Sequence, residues 1–477
     1  MESFALANRI WIDVEDLFKY AELGFRPTGI PRLVVELCRA IRALPESKDR
    51  VFFVRHDAKR QSFAVISWEA VESVFSTIAN GTTEKPKAPP VLRSALKRMT
   101  RALPLQLRRL GFLQIEVFVG IAQLINAFAF RMSRRFRFKH RASVVSSDHF
   151  NVAARPGDIL ALLGFAWIEP GHNAYVEKAK REKGLRLALL MYDIIPLRRP
   201  EWFDEAAVKN FRDWFTEALS LVDSILTISA FTARDVAEYA REKGISLRAA
   251  PTPIPIGTGF QKSNGAQRSS ASGAASSLLP APDSYALIVS TIEVRKNHAL
   301  LFRVWQRLLE DMPAASVPTL VFAGRVGWQV CDLMEQLHNS RFLDGKIIHI
   351  ERPTDAELEA LYDGCLFTLF PSFYEGWGLP VTESHSFRRP CIISTATSLP
   401  EAGGALARYI DPDNVTDACR IIRETIQDQA GLREWRDRVR REFRPVPWSQ
   451  SARAVLQVLE TTQDVSGASE TRLRRRA

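Results

Sequence analysis

Glu375 and Glu383 stand seven residues apart in the run Pro371-Ser372-Phe373-Tyr374-Glu375-Gly376-Trp377-Gly378-Leu379-Pro380-Val381-Thr382-Glu383. The apolar residues Leu366–Phe370 ahead of it read as a strand, and a helix is expected to open near Pro380, a residue suited to a first turn. Gly376 and Gly378 would let the backbone close in on a ligand, and exposed N–H groups at the helix start can hold phosphate oxygens. Glu375 would project from the turn and Glu383 from the first turn of the helix, and two such carboxylates can accept hydrogen bonds from different parts of one polyol ligand. A plainer role is open to the same pair: Glu383 would complement the helix dipole and Glu375 would cap the turn. Spacing alone leaves both readings standing.

Such a turn needs a strand behind it and a helix ahead, and most of the chain supplies that alternation. Candidate strands are Ile10–Val14, Val51–Arg55, Ile159–Leu163, Leu187–Met191, Ile225–Ile228, Ala286–Ser290, Leu320–Ala323, Ile347–Ile350, Phe367–Phe370 and Cys391–Ser394. Most are apolar runs without strict alternation, as expected of strands covered on both faces. Between them lie helical patterns, such as the stripe Ile30, Leu33, Val34, Leu37, Cys38 and Ile41. The order predicts an α/β fold of two Rossmann-like, doubly wound parallel sheets. Gln261–Ser277 is nearly all Ser, Ala, Gly and Asn and reads as a linker. The expected organisation is an N-terminal domain at 1–260, a flexible linker at 261–279, a C-terminal domain at 280–461 and a disordered basic tail at 462–477.

The charge is uneven. Between Lys85 and Ala142 fourteen basic residues face one acid, Glu116, so this stretch carries more than the net +11 of all 477 residues. It encloses an apolar run, Gly111 to Phe130. We read 85–142 as a basic amphipathic insert lying on an anionic membrane surface. A core helix with a solvated basic neighbour, or a transmembrane span, would use the same residues. Nucleic acid is not expected, because the segment has neither zinc-ligand spacing nor an aromatic stacking module. The five cysteines are scattered, with no C-x-x-C pair, which fits reduced thiols. Residues Met1–Asn8 lack the charged and apolar stretches of a signal peptide. The expected location is cytoplasmic, peripheral on the inner face of the cell membrane.

The run around Glu375 and Glu383 resembles the E-x7-E signature of the retaining glycosyltransferase family 4, which has the GT-B fold of two Rossmann-like domains facing across a cleft. Further segments resemble the same family in order: Thr291-Ile292-Glu293-Val294-Arg295-Lys296-Asn297-His298, Phe322-Ala323-Gly324-Arg325-Val326-Gly327-Trp328, Tyr192-Asp193-Ile194-Ile195-Pro196-Leu197 and Ile228-Ser229-Ala230-Phe231-Thr232. Thr28-Gly29-Ile30-Pro31-Arg32 is similar to the T-G-I-x-R loop of bacterial polysaccharide-assembling members. The likeness covers most of the chain from Ile10 to Asp428. One position departs: where many members have Gly-Arg, Val289-Ser290 stands here.

The resemblance implies a retaining hexosyltransferase without a cofactor, taking a mannose-like or glucose-like residue from a nucleoside-diphosphate sugar; metal independence is expected because Asp411-Pro412-Asp413 reads as something other than a metal site. It implies that Glu375 contacts the donor hexose and Glu383 the ribose, with Gly376, Trp377, Gly378 and Leu379 forming the donor turn. Arg295 and Lys296 would face the diphosphate, Asp193 the reacting centre, and Thr28, Gly29, Ile30 and Arg32 the acceptor. Asp411-Pro412-Asp413 matches the metal-binding D-x-D pattern, but it precedes a helix and reads as a turn and cap. The basic insert suggests a lipid-linked or polysaccharide acceptor. An epimerase or glycan synthase on the same fold, or a non-catalytic membrane-bound scaffold, are the alternatives.

Overall fold

A computed structural model of the chain describes residues 8–23, 29–57, 60–79, 148–168, 171–259 and 279–474. The insert at 85–142, Thr28 and all but the last residue of the expected linker lie outside them. Among the described residues, no helix is long and apolar enough to cross a membrane. The chain divides into two compact units, Met1–Val35 with Asp49–Arg186, and Glu36–Lys48 with Leu187–Ala477.

The apolar runs become strands within one or two residues of their expected limits. The first unit contains β1 (Ile10–Asp13), β2 (Val51–Asp57), β3 (Ser62–Ile66) and β4 (Ile159–Leu162). The second continues with β5 (Arg186–Met191), β6 (Ser224–Thr227) and β7 (Thr252–Pro253), and the sheet order is β3-β2-β1-β4-β5-β6-β7. β1 lies parallel to β2 and β4, pairing Ile10 with Val51 and with Ile159. The edge strand β3 departs from the all-parallel expectation: it runs antiparallel to β2, with Phe53 opposite Ile66. Only four residues separate β2 from β3, too few for a parallel crossover, so the chain must return as a hairpin. No Asn-Gly or Asp-Gly pair announces that turn. β7, two residues long, carries Pro253, which has no N–H to donate to a ladder.

The second unit also holds β8 (Tyr285–Val289), β9 (Thr319–Ala323), β10 (Ile347–Ile350), β11 (Phe367–Phe370), β12 (Cys391–Ser394) and β13 (Arg408–Ile410). These form a parallel sheet in the order β10-β9-β8-β11-β12-β13. The order turns back between β8 and β11, and ligands of doubly wound sheets bind beyond the carboxyl ends of the strands at such a point. Helix His298–Asp311 buries Leu300, Leu301, Val304, Trp305 and Leu308 in this unit's core. Each large apolar side chain so buried contributes about 1.5–3 kcal/mol, which holds the loops above β8 and β11 to a rigid base. The segment from Thr462, expected to be disordered, is instead part of helix Trp448–Arg474. That span contains no proline and a single glycine, Gly467, so its sequence offers little to stop a helix.

Candidate active site

The loop after β8 and the loop after β11 meet in an ionic cluster. Val294–Lys296 make one tight turn, and Asn297 follows with φ 57°, opening helix His298–Asp311 from the left-handed region. The Asn297 amide donates to the carbonyls of Pro371 (3.2 Å) and Pro412 (2.9 Å), which ties the loop to its neighbours. Phe373 N donates to Arg295 O at 2.9 Å. Arg295 and Lys296 are thereby aimed at Glu375: Arg295 Nη1 donates to Oε2 at 2.7 Å and Lys296 Nζ to Oε1 at 2.5 Å. Arg295 also grips Glu293 through Nε (3.0 Å) and Nη2 (2.8 Å), and the Tyr374 carbonyl through Nη1 (2.9 Å).

Burial makes these charges matter. It pushes the Glu375 carboxyl up, but Arg295 and Lys296 outweigh it and hold Glu375 below its ordinary value. Burial, then the Arg295 charge, lowers Lys296 despite its carboxylate partner. For Arg295 burial acts downward, and Glu375 and Glu293 overcome it and raise the guanidinium. Asp193 sits just beyond β5 within the field of this cluster. Burial raises its carboxyl, opposed chiefly by Arg295 and by the hydrogen bond from Ile195 N at 3.1 Å.

At Gly376 backbone comes close to backbone. A Cβ there would lie 2.1 Å from Tyr192 O and 3.2 Å from Asp193 Cβ. Gly378 has φ 114°, a region side chains rarely adopt, and opens helix Leu379–Ser386 with Pro380 in its first turn. The Glu375 N–H donates to Thr397 Oγ1 at 2.9 Å, and Ser398 Oγ donates to the carbonyls of Glu375 (2.8 Å) and Trp377 (3.1 Å). The Trp377 indole N–H is buried without an acceptor among the described residues. We expect Gly376→Ala to lower turnover about 100-fold, the scale of an ångström of misplacement at a reacting centre. Steady-state rates compared with the melting temperature will show whether the loss exceeds any change in stability.

The cluster brings Asp193, Arg295, Lys296, Glu375 and Gly376 together. Glu383 stands on helix Leu379–Ser386, where its Oε2 accepts from Tyr362 OH at 2.9 Å. Gly29, Ile30 and Arg32 belong to the first unit, where Gly29 has φ 59° and its carbonyl accepts from Leu33 N at 3.1 Å in the first turn of helix Ile30–Ala43. Asp411–Asp413 is a turn, with Asp413 N donating to Asp411 Oδ1 at 2.9 Å and Asn414 capping the next helix.

Several supporting residues were not anticipated from sequence. Tyr374 OH donates to Asp235, which also takes Arg198 Nε at 2.5 Å. Ser229 caps helix Ala230–Glu242, and the Glu401 carboxylate accepts from the first two amides of that helix at 2.8 and 2.7 Å. The Ser229-x-x-Thr232 cap was readable as a pattern, whereas the amides that Glu401 accepts from, and Tyr374 as the donor to Asp235, lie more than a hundred residues away in the chain.

Residues 274–442 match the family Glycosyl transferases group 1. The likeness to the group 1 glycosyl transferases is confined to this segment, about a third of the chain. The loops bearing Arg295, Lys296, Glu375 and Glu383 all fall within the group 1 segment. The serotype-specific mannosyltransferase WbdA of Escherichia coli is 23% identical over 376 residues, covering 77% of this chain and 44% of that protein. The O-antigen chain mannosyltransferase B of Escherichia coli is 28% identical over 265 residues, 53% of this chain and 63% of that one. The chain thus spans less than two thirds of either relative. Among solved structures, Anabaena HepE in complex with UDP and glucose superposes with a TM-score of 0.51 at 12% identity, over 95% of this chain and 99% of that one. That likeness is one of fold, and it agrees with two doubly wound sheets of the GT-B class.

Proposed function

We propose that the chain is a retaining hexosyltransferase that takes its sugar from a nucleoside-diphosphate donor. The observation that carries this reading is the Arg295–Glu375–Lys296 cluster at the turning point of the second sheet, inside the group 1 segment. Breaking a sugar–phosphate bond builds negative charge on the departing diphosphate and oxocarbenium character on the sugar. Two buried cations already in place oppose the first. An incoming diphosphate competes with Glu375 for Arg295 and Lys296, which frees the carboxylate to accept from hexose hydroxyls. The backbone amides at the start of helix Leu379–Ser386 add further donors for phosphate oxygens. In this reading Glu383 takes the ribose hydroxyls, Asp193 lies at the reacting carbon, and Gly29, Ile30 and Arg32 serve the acceptor with Thr28. Protein cations do the work of a divalent ion at the diphosphate, so transfer proceeds in the presence of EDTA.

The mannosyltransferase relatives favour mannose as the donor sugar and a growing polysaccharide or lipid-linked glycan as acceptor. A screen of nucleoside-diphosphate hexoses, reading released nucleoside diphosphate with and without glycan acceptor, tests this directly. Release from at least one donor, lost in Glu375→Ala, is the expected result. Epimer formation without acceptor would mean an epimerase, and no turnover of any donor would leave a scaffold. The basic insert at 85–142 would hold the enzyme on an anionic leaflet at the inner face of the cell membrane. Binding to phosphatidylglycerol vesicles should then weaken steeply between 50 and 300 mM salt, whereas binding indifferent to salt would refute that attachment.

A further inference from the structure

The first sheet also turns back once, between β1 and β4. In the first unit the chain places a second polar cluster beyond the strand ends there, and none of Arg295, Lys296 and Glu375 belongs to it. Asp13 ends β1, His56 lies near the end of β2, and His172 opens helix His172–Lys183. Asp13 Oδ2 receives both imidazoles, His172 Nε2 at 2.9 Å and His56 Nε2 at 3.1 Å. One ligand atom from each of the three residues lies within 4.8 Å of the others. All three side chains are 3–6% exposed.

We propose that Asp13, His56 and His172 bind one divalent transition-metal ion of the zinc class. Two imidazoles and a carboxylate are a ligand set for such an ion, with a further position open to water or a fourth group. Ligand atoms about a tetrahedral ion with bonds of about 2.0–2.1 Å are roughly 3.3 Å apart, so each of the two contacts needs to open by only a few tenths of an ångström. The surroundings hold the ligands to this arrangement. His56 is stacked on Tyr175 with ring centroids 4.6 Å apart, and the His172 ring lies 5.1 Å from that of His56.

The local charge calls for a cation. Asp13, Glu15 and Asp16 are all buried within four residues of chain. Glu15 is matched by Arg55, whose Nε and Nη2 donate to its two oxygens at 2.9 and 3.0 Å. Asp16 accepts from Phe165 N at 3.2 Å, and a Cβ on Gly164 would fall 1.9 Å from its Oδ2, so only glycine at 164 lets the carboxylate lie against the backbone. Asp13, Glu15, Asp16, Gly164 and His172 line one small cavity. A divalent ion on Asp13 would offset carboxylate charge that Arg55 does not reach, at the place where a doubly wound sheet ordinarily holds its ligand. This metal would be distinct in role from the proposed diphosphate-facing cations, fixing β1, β2 and helix His172–Lys183 to one another.

Metal analysis of the full-length protein, purified without chelator and dialysed, tests the proposal. The expected result is close to one equivalent of zinc-class metal per chain. After removal with a chelator, Co2+ should restore about one equivalent with the visible bands of tetrahedral or five-coordinate cobalt. His172→Gln and Asp13→Asn should each weaken Co2+ binding by more than the roughly 10–100-fold that loss of an outer partner costs, while His349→Gln in the second unit leaves it unchanged. Should a variant fail to fold by circular dichroism, the wild-type cobalt spectrum decides alone. Wild-type protein that neither retains metal nor develops cobalt bands at micromolar Co2+ overturns the site, as does full-strength binding by folded His172→Gln. Either result would leave Asp13 as a hydrogen-bonded carboxylate between two imidazoles, with the transferase reading untouched.

Discussion

Lys296→Ala is expected to lower the rate of nucleoside-diphosphate release by about 10²–10³, equivalent to about 2.7–4 kcal/mol, the scale on which a preorganised charge-stabilising donor acts. The side chain is 12% exposed and its ammonium donates at 2.5 Å to Glu375, so its position is fixed before any ligand arrives. Its behaviour with pH gives a sharper test than the rate alone. Burial, followed by the adjacent Arg295, holds the Lys296 ammonium below the ordinary 10.5. A lowered value in the folded protein means that the charge is lost earlier as pH rises, so the alkaline limb of kcat/KM should fall below the range of a free lysine. Lys296→Arg keeps a cation that does not deprotonate in the accessible range. The variant should therefore retain part of the activity and lose that limb. An alkaline limb of unchanged midpoint in Lys296→Arg would assign the titration elsewhere and remove Lys296 from the proposed mechanism.

The parts of this cluster that were legible in the sequence are those encoded locally. Apolar runs bounded by turn residues located β1, β2, β4 to β6 and β8 to β12, because a strand covered on both faces needs little beyond short apolar length. The turn at Gly376 and Gly378 was legible because glycine spacing reports backbone demand, and the structure shows the demand: Tyr192 O would lie 2.1 Å from a Cβ at Gly376. The three-residue strand β13 carries too little pattern to be read, and the antiparallel return of β3 depends on a turn without its usual residues. What sequence could not supply is pairing at a distance. Nothing around Glu401 signals that it will cap a helix 170 residues earlier, and nothing near Asp13 anticipates His172, 159 residues later. The salt bridges within the cluster also fell outside reach. Arg295 and Lys296 read as cations facing a ligand, whereas the fold clamps both on Glu375 and gives Arg295 a second acid, Glu293.

That shared clamp makes Glu375→Gln the most informative single change. The amide preserves shape and one acceptor, but it removes the charge that Arg295 and Lys296 both depend on. Removing one partner from a buried ion pair typically costs about 3–5 kcal/mol; with Glu293 and Asp193 still in reach, we expect the lower end at pH 7, read by chemical denaturation. The sign with pH follows from the direction of the shift. Glu375 is held below its ordinary 4.5 in the folded chain, so its contribution is fully present above that value and disappears as pH falls through the folded one. The stability gap between wild type and Glu375→Gln should accordingly be widest near neutrality and close progressively below pH 4.5. On the alkaline side the prediction runs the other way. The Glu375 charge raises Lys296, so its removal should move the alkaline limb of any residual activity to still lower pH. A variant with wild-type stability at pH 7 and an unmoved alkaline limb would mean that the two cations do not share Glu375 in solution. The competition between diphosphate and carboxylate for Arg295 and Lys296 would then lose its basis.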